Sequence, residues 1–457
     1  QAEDGIRDVE RSRGLGDVYK RQTLVFVWVK ISQHLTFRTG AYDLSMYDSA
    51  LSNTIKGNFM YTRWLGRNFF SEHFAPVLLL LLPFYILCDN PLTLVILMAV
   101  IVVLSAYPLY LIAKDKLSSK LASLAIAFIY LNYDFLIKGF LFDFHHEVFE
   151  PLFIFTAFIF LYKNKPLRYF IFVILGLSCK EDMPVYVAMF GIYACLVEKK
   201  CKLGILTIAI SVAWAILTFK IIIPMSFPNQ PGATKFIERW SQHGNSYTQI
   251  ALTLLTHPQY LFGKKFILAA LRLLIPLAFV PIASPFTLLL CIPPILLNTT
   301  SGYDQMYNLA GHYAFPIIPY VFIALVLGLK NIKNKFPKKF NMILICFCIY
   351  GLFENINNLN AYVITKHDFI GYSAVKAIPN NVSVSAQTSI IPHLNRSHQA
   401  YLLPQKLDTD YIIFDEKRFR WPMTDEEYNT LLQKFKNHND YELKFSGDGF
   451  YLFKKIP

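Results

Sequence analysis

Long apolar runs constrain this chain more than any other feature. The runs 77–87, 92–113, 203–224 and 317–329 carry almost no charge, and the second and third reach the roughly 20 residues that a helix needs to cross a bilayer. Only 16% of the residues are charged and 54% are hydrophobic, whereas a soluble domain carries about 25% charge. The sequence therefore predicts a mainly α, polytopic helical membrane protein.

Clusters of Lys and Arg separate the apolar runs and predict their orientation. The clusters occupy residues 114–120, 163–168, 198–202 and 330–339. Alternating sides at each run puts all four clusters on one side, which the positive-inside rule assigns to the cytoplasm. Topology thus explains the net charge of +13, and we expect no nucleic-acid partner. The predicted location is the cytoplasmic membrane, with multiple passes.

About eleven spans satisfy this charge pattern. They lie at 23–35, 91–113, 119–136, 148–162, 168–179, 184–197, 203–222, 266–282, 284–297, 312–329 and 340–353. The run 75–88 is predicted to be a half-inserted or interfacial helix, because a full span there would move the cluster 114–120 to the opposite side. Prolines inside several runs predict broken or kinked helices.

Three regions follow from these patterns. Residues 1–22 are charged, lack an apolar stretch and resemble a translated sequencing adapter, so this leader is excluded from the predicted fold. A genuine basic extramembrane arm is the alternative. Residues 23–357 form the predicted transmembrane domain, and residues 358–457 predict a small external α/β domain. The external loops of the transmembrane domain are 36–74, 137–147, 223–265 and 298–311. The C-terminal domain is predicted to contain strands at 382–387, 400–403 and 411–415, a helix at 424–437 and a hairpin at 441–455.

Two acidic residues follow the first predicted span, on the same side of the membrane as the other polar motifs. Asp43 and Asp48 are five residues apart, so they diverge by about 140° on a helix and need not act together. Asp43 lies nearer the membrane and could accept a proton from an attacking hydroxyl group as a general base. A helix cap or a solvated loop carboxylate is the alternative.

The segment FDFHHEVFE concentrates further candidate ligands. Asp143, His146, Glu147 and Glu150 have the i, i+3, i+4 and i+7 spacing of one helix face. Such a face could hold a divalent cation, and the candidate metal ligands are Asp143, His146 and Glu147. Alternatively, His145 or His146 could hydrogen-bond a phosphate. The HExxH motif of zinc enzymes is absent, so the spacing implies no certain cofactor beyond a possible divalent cation.

Charged residues inside an otherwise apolar stretch form another candidate group. Lys180, Glu181 and Asp182 lie within 169–197, where each charge would cost about 2.5–3.5 kcal/mol in lipid. They must therefore face protein or water. Lys180 could bind a phosphate, and Glu181 or Asp182 could bind a sugar hydroxyl or a His. Alternatively, the three residues could form a structural ion-pair group.

Further polar and aromatic residues could complete a pocket on the same side. They are Glu72, His73, Arg239, Trp240, His243, Tyr303, Asp304, His312 and Tyr313. Anchoring at the membrane interface is the alternative role for such residues. The predicted substrate-binding or phosphate-binding set is His73, Asp143, His145, His146, Lys180, Glu181, Asp182 and His312.

Several strings, taken in order, carry a family resemblance. They are AYDLSMYDSALSNTIKGN, SEHFAPVLLLLLPFY, FDFHHE, SCKEDMPVY, VSVSAQTSIIPHL and DYIIFD. Over residues 38–455 they resemble the uncharacterised prokaryotic membrane family called domain of unknown function 2079, which looks related to the GT-C integral-membrane glycosyltransferases. The resemblance implies a polyprenyl-phosphate sugar donor and a catalytic carboxylate in the first external loop, here Asp43. The usual Asp-x-Asp or Asp-Glu pair of that loop is absent, since Leu44 follows Asp43.

The leading hypothesis is inverting sugar transfer from a polyprenyl-phosphate donor to a glycan, lipid or protein acceptor outside the membrane. Lys180, with His73 or His146, would neutralise the leaving phosphate, and Glu147 and Glu181 would orient the sugar or hold a cation. One alternative is a membrane transporter or lipid flippase with an intramembrane charged path, but the sequence shows no inverted repeat. A receptor that binds through its outer domain is the other, although eleven spans exceed what an anchor requires.

Overall fold

The N-terminal three quarters of the chain is helical. The computed structural model describes residues 20–63, 65–226, 237–358, 361–394 and 396–456, so most of the predicted leader lies outside the described residues. The α-helices of this part are 20–35, Met46–Ile55, Leu82–Leu87, Pro91–Leu117, Lys120–Leu131, Asp134–Leu141, Glu150–Tyr162, Pro166–Leu177, Met183–Leu196, Cys201–Ile216, Ile223–Ser226, Tyr247–Thr256, Pro258–Leu261, Lys264–Leu274, Pro285–Leu288, Ile292–Thr299, Asp304–Tyr307, Ile318–Lys335 and Pro337–Asn358.

Short 3-10 and π turns connect or extend these helices. They are Ala41–Ser45, Phe69–Ser71, Pro76–Leu81, His146–Phe149, Leu217–Ile222, Glu238–His243, Ile275–Leu277, Val280–Ala283, Leu289–Cys291 and Gly311–Ala314. A two-stranded hairpin pairs Tyr61–Thr62 with Arg67–Asn68. The turns Ala41–Ser45 and His146–Phe149 matter most for function, because they carry residues of the candidate site.

Few of the described helices are long and apolar enough to cross a membrane. Pro91–Leu117, Cys201–Met225 and Gly311–Lys335 meet both conditions, and the pair Lys120–Leu131 and Asp134–Leu141, bent by 46°, could form one more span. The other apolar helices have at most 17 residues, which at 1.5 Å per residue reach about 26 Å. A helical membrane architecture is supported, but the predicted count of eleven spans is not confirmed.

The candidate spans differ in how deeply they are packed. In Gly311–Lys335, 94% of the most apolar stretch is buried inside the protein. In Cys201–Met225, only 17% of that stretch is buried. The exposed helix packs mainly against Met183–Leu196, and a Cβ at Gly204 would overlap the carbonyl of Gly191. It also contacts Pro166–Leu177, where the Tyr169 hydroxyl is 2.9 Å from Thr207 Oγ1. Small residues at the contact with Met183–Leu196 let the two backbones approach closely, as in many membrane helix pairs.

A broken segment follows Lys264–Leu274, where the sequence predicted a span with prolines. The helix ends one residue before the turn that contains Pro276, and Ala278 and Phe279 adopt left-handed φ angles of 44° and 58°. The carbonyl of Leu273 accepts a hydrogen bond from the Tyr133 hydroxyl at 2.7 Å. Protein groups therefore satisfy the backbone at the break, which is the condition for irregular structure at membrane depth.

The C-terminal part forms a five-stranded mixed sheet, and its predicted elements are confirmed with small shifts. The strand order is Gln399–Leu402, Ser383–Ala386, Tyr411–Asp415, Phe450–Lys455 and Tyr441–Gly447. The first three strands are parallel, and the last two form an antiparallel hairpin. The helices of this domain are Lys366–Lys376 and Asp425–Lys436, with a 3-10 turn at Ile391–His393. Thr424 and Glu427 cap the second helix reciprocally.

The core of the C-terminal sheet extends beyond residue 358. Phe37 and Ala41, from the segment that follows the first helix, are fully buried in one core with Val384, Ile413 and Leu452. A second core on the other face of the sheet contains only C-terminal residues. The C-terminal domain therefore packs around the first loop of the helical domain. The two predicted domains meet at 357/358 in the sequence, but they share one hydrophobic core.

Ion pairs reinforce this junction at a second place. Arg396 of the C-terminal domain pairs with Asp48 at 2.5 Å and also with Asp89, and it donates to Ser52 at 2.8 Å. Asp48 accepts a further hydrogen bond from the Tyr85 hydroxyl at 2.8 Å. Asp48 thus has a structural role at the domain junction, which agrees with its predicted independence from Asp43.

Candidate active site

A cavity of about 820 Å³ lies where the loops of the helical domain meet the C-terminal sheet. The helical domain contributes Asp43, His73, Asp143, His145, Lys180, Arg239, His312 and Tyr313, among others. The C-terminal domain contributes Thr388, Ser389, Gln405, Phe419 and Trp421. Of the predicted site residues, six therefore line one cavity: Asp43, His73, Asp143, His145, Lys180 and His312.

Asp43 stands on a short π turn whose backbone is held by side chains on both sides. The amide of Gly40 donates to Asp143 Oδ2 at 2.5 Å, and the amide of Ala41 donates to Thr388 Oγ1 at 3.0 Å. A Cβ at Gly40 would lie 3.3 Å from the oxygens of both partners, so glycine suits this close approach. The carboxylate of Asp43 is 28% exposed and accepts a hydrogen bond from His145 Nε2 at 2.8 Å.

His145 is the centre of a charged network. Burial would lower its pKa, but the hydrogen bonds and charges of Asp43 and Glu147 raise that pKa to about 9. At neutral pH it is therefore an imidazolium that donates from Nε2 to Asp43, and its Nδ1 forms an ion-pair contact of 3.3 Å with Glu147 Oε2. Its ring stacks on that of His312, with the ring centroids 3.6 Å apart and the planes 11° from parallel.

Glu147 and Lys180 extend this network into the helical domain. Lys180 Nζ donates to Glu147 Oε1 at 2.8 Å. Burial would raise the pKa of Glu147, but cationic neighbours that include Lys180 lower it well below its usual value. Burial would likewise lower the pKa of Lys180, but Asp182 and Glu147 raise it. Asp43, His145, Glu147 and Lys180 therefore alternate in charge along one chain of contacts.

The predicted helix face from Asp143 to Glu150 is wrong, because the chain is extended at Phe142 and His145. Helical structure begins only at His146, so Asp143 points back to Gly40 instead of joining Glu147. Burial, and then the carboxylate of Asp43, raise the pKa of Asp143 to about 7. Lys30 Nζ donates to the carbonyl of Phe142 at 2.6 Å, and this contact holds the backbone in its extended conformation.

His146 lies behind the cavity and is fully buried. Burial lowers its pKa to about 3, so it is a neutral imidazole at neutral pH. Its Nδ1 is 3.0 Å from the hydroxyl of Tyr47, which is also 3.2 Å from His145 Nδ1. Because the imidazolium can only donate, we assign the Tyr47 hydroxyl as its acceptor and as the donor to His146. His146 is thus a supporting residue and does not touch the cavity.

Glu181 and Asp182 line a smaller adjoining cavity of about 140 Å³, together with Lys180 and Arg239. Glu181 Oε1 is 2.9 Å from His73 Nδ1, and Oε2 accepts the amide of Phe74 at 3.2 Å. Burial would raise the pKa of Glu181, but His73 and these hydrogen bonds lower it to about 2. The two charged motifs singled out in the sequence, at residues 72–73 and 180–182, are therefore in direct contact.

Three ligand atoms of His145, Glu147 and His312 lie within 4.8 Å of one another, the only such group found among the described residues. This set shares only Glu147 with the predicted metal ligands Asp143, His146 and Glu147. The extended backbone before His146 causes the difference. Lys180 and His145 already place two cations beside Glu147, so the group is charge-balanced by the protein itself.

Sequence reasoning missed some residues of the site. Tyr47 follows Asp43 by four residues, so a helical spacing could have indicated it. Trp421 and Thr388 belong to the C-terminal domain, and nothing in the local sequence places them beside Asp43. Arg239, in contrast, was among the loop residues predicted to complete a pocket, and it lines the cavity.

Comparison with solved structures shows which proteins share the fold of this chain. The fold matches two crystal structures of ArnT from Cupriavidus metallidurans, one bound to undecaprenyl phosphate and one in the apo state, with TM-scores of 0.62 and 0.60. Each pair is 10% identical in sequence; the alignments cover 96% and 97% of this chain and 98% of ArnT in both cases. The chain therefore shares the overall fold of ArnT.

The family is established by sequence. A model described as "Predicted membrane protein (DUF2079)" matches residues 33–452, and the chain belongs to this family. No curated protein sequence matches the chain.

Proposed function

We propose that this protein is an inverting glycosyltransferase that takes a sugar from a polyprenyl-phosphate donor at the outer face of the cytoplasmic membrane. One observation carries the proposal. Asp43 and Lys180 line the same cavity and are joined through His145 and Glu147 by contacts of 2.8, 3.3 and 2.8 Å. The ArnT-like fold supports the donor class, because one matched ArnT structure holds undecaprenyl phosphate.

Asp43 is the proposed base. The acceptor hydroxyl attacks the anomeric carbon of the donor, the bond from that carbon to the phosphate oxygen breaks, and the hydroxyl proton passes to the carboxylate. Asp43 Oδ1 is held by His145, and no described residue hydrogen-bonds to Oδ2. The imidazolium therefore fixes the orientation of the base while one oxygen stays available to the acceptor.

Lys180 and Arg239 are the proposed partners of the leaving phosphate. Both line the cavity, and Lys180 is held as a cation by its acidic neighbours. The guanidinium of Arg239 contacts Met306 Sδ at 3.7 Å and the Tyr303 ring at 5.7 Å, and it makes no ion pair with a described acid. Its charge is thus available to a phosphate, whose negative charge increases as the glycosidic bond breaks.

The proposed topology follows from the charge clusters and the position of the cavity. Asp43, His145 and Lys180 face outward in the orientation that places the Lys and Arg clusters in the cytoplasm. The C-terminal domain is then extracytoplasmic and covers the cavity, and the membrane lipid supplies the donor. A glycan, a lipid or a protein could supply the acceptor hydroxyl.

A transfer assay on the purified full chain tests the proposal. A panel of radiolabelled polyprenyl-phosphate sugars is offered with membrane lipid and glycan fractions, and Asp43→Asn is compared with the wild type. We expect Asp43→Asn to lower the rate by about 10²–10⁴-fold, since it removes the base. Asp134→Asn is the matched control, because Asp134 lies outside the cavity in a surface pair with Lys138. Full activity in Asp43→Asn would contradict the proposal.

A further inference from the structure

Two large aromatic side chains of the C-terminal domain are exposed inside the cavity. Phe419 is 67% exposed and Trp421 is 46% exposed, and both line the cavity opposite the charged residues. Aromatic side chains that line a concave cavity, with a few polar groups beside them, are typical of ligand-binding sites. The tip of the C-terminal domain therefore presents a binding surface beside the proposed base.

Trp421 is held in place by contacts with the residue that precedes Asp43. Its ring meets the ring of Tyr42 edge-on, with the centroids 4.7 Å apart and the planes at 72°. Gln405 Nε2 donates to the Tyr42 hydroxyl at 3.1 Å, which ties a second C-terminal residue to the same side chain. The aromatic surface is thus fixed relative to Asp43 and does not depend on a mobile loop.

The polar groups that the C-terminal domain contributes beside this surface are neutral. Gln405, Thr388 and Ser389 line the same wall, and the last two are 2% exposed. Thr388 Oγ1 accepts the amide of Ala41, which leaves its own hydroxyl proton for another acceptor. An aromatic face with neutral donors and acceptors at its edge matches a sugar ring, which has an apolar C–H face and a rim of hydroxyl groups.

We propose that Trp421 and Phe419, with Gln405 and Thr388, form a subsite for a carbohydrate ring of the acceptor. The proposal rests on the proposed transferase activity. The acceptor is favoured over the donor because the phosphate partners Lys180 and Arg239 belong to the helical domain, as do all the candidate spans among the described residues. A lipid-linked donor enters from that side, which leaves the C-terminal wall to the acceptor.

Binding can be tested without any transfer reaction. The purified full chain in detergent is applied to an array of immobilised oligosaccharides, alongside Trp421→Ala, Phe419→Ala and Phe369→Ala. We expect the wild type to bind a defined group of glycans, Trp421→Ala to lose at least tenfold in apparent affinity and Phe419→Ala to lose less. Phe369→Ala is the matched control, since Phe369 is 66% exposed on the same domain but lies outside the cavity.

The kinetic signature separates this inference from the proposed function. With an active donor and acceptor pair, Trp421→Ala should raise KM for the acceptor by at least tenfold, more than it lowers kcat, and Trp421→Phe should recover most of the loss. A rise in KM for the polyprenyl-phosphate sugar alone would overturn the acceptor assignment. Glycan binding that is equal in the wild type and Trp421→Ala would overturn the subsite, while an unaltered Asp43 effect would leave the transferase proposal standing.

Discussion

The two walls of the cavity are built on opposite principles. On the helical wall, the charged groups of Asp43, His145, Glu147 and Lys180 lie within 3.3 Å of an oppositely charged neighbour, and only Asp43 has more than a tenth of its side chain exposed. On the C-terminal wall, the side chains are neutral, and the largest of them are exposed. The first arrangement suits charge development during a reaction, and the second suits recognition of a ligand that varies in shape.

Substitution of Lys180 should have a large effect, and this effect should fall on the chemical step. We expect Lys180→Met to lower kcat by about 10²–10³-fold, because the leaving phosphate loses a fixed cation. KM for the acceptor should change much less, in contrast to Trp421→Ala. Steady-state kinetics on the purified protein would measure both constants.

The control for this experiment must account for folding. Lys180→Met leaves Glu147 buried, with 2% of its side chain exposed and its lysine partner removed. The double variant Lys180→Met/Glu147→Gln removes that conflict and should restore thermal stability without restoring activity. Lys138→Met is the surface control, since Lys138 is 60% exposed and outside the cavity. A rise in the acceptor KM of Lys180→Met with an unchanged kcat would contradict the assignment of chemistry to the helical wall and recognition to the C-terminal wall.

The stability of the helical wall should decrease at alkaline pH. The pKa of His145 is raised from 6.5 to about 9 in the folded protein, so its stabilising charge is complete below about pH 6.5 and is lost as the pH rises through about 9. We expect the wild-type Tm to fall by roughly 2–4 °C more than that of His145→Gln between pH 8 and 10. Detergent-compatible fluorimetry over this range measures the difference, and equal slopes for the two proteins would show that His145 is not charged at neutral pH.

Chelation should have the smallest effect. Because Lys180 and His145 already balance Glu147, we expect EDTA to leave transfer activity within twofold of the untreated protein. Loss of activity that is restored by one divalent cation, and absent in His312→Gln, would instead assign the group of His145, Glu147 and His312 as a metal centre. Metal analysis of the purified wild type and His312→Gln provides the independent readout.

Local sequence patterns predicted much of the fold. The strands and the capped helix of the C-terminal domain occur within one or two residues of their predicted bounds, because alternation and capping depend on neighbouring residues. The same reasoning failed at residues 142–145, where an i, i+3, i+4 spacing suggested a helix. There the side chain of Asp143 binds the amide of Gly40, a contact across 103 positions, and the backbone is extended.

The sequence by itself determined that this chain is a helical membrane protein of a known family, that Asp43 follows the first helix, and that charged motifs interrupt its apolar runs. Only the tertiary structure decided that His145 holds Asp43, that Lys180 joins them through Glu147, and that Trp421 packs on Tyr42. Periodicity and hydropathy act over a few residues, whereas these contacts join positions 102 to 379 apart, or span the 33 residues from Glu147 to Lys180, and depend on how the helices and the sheet pack together.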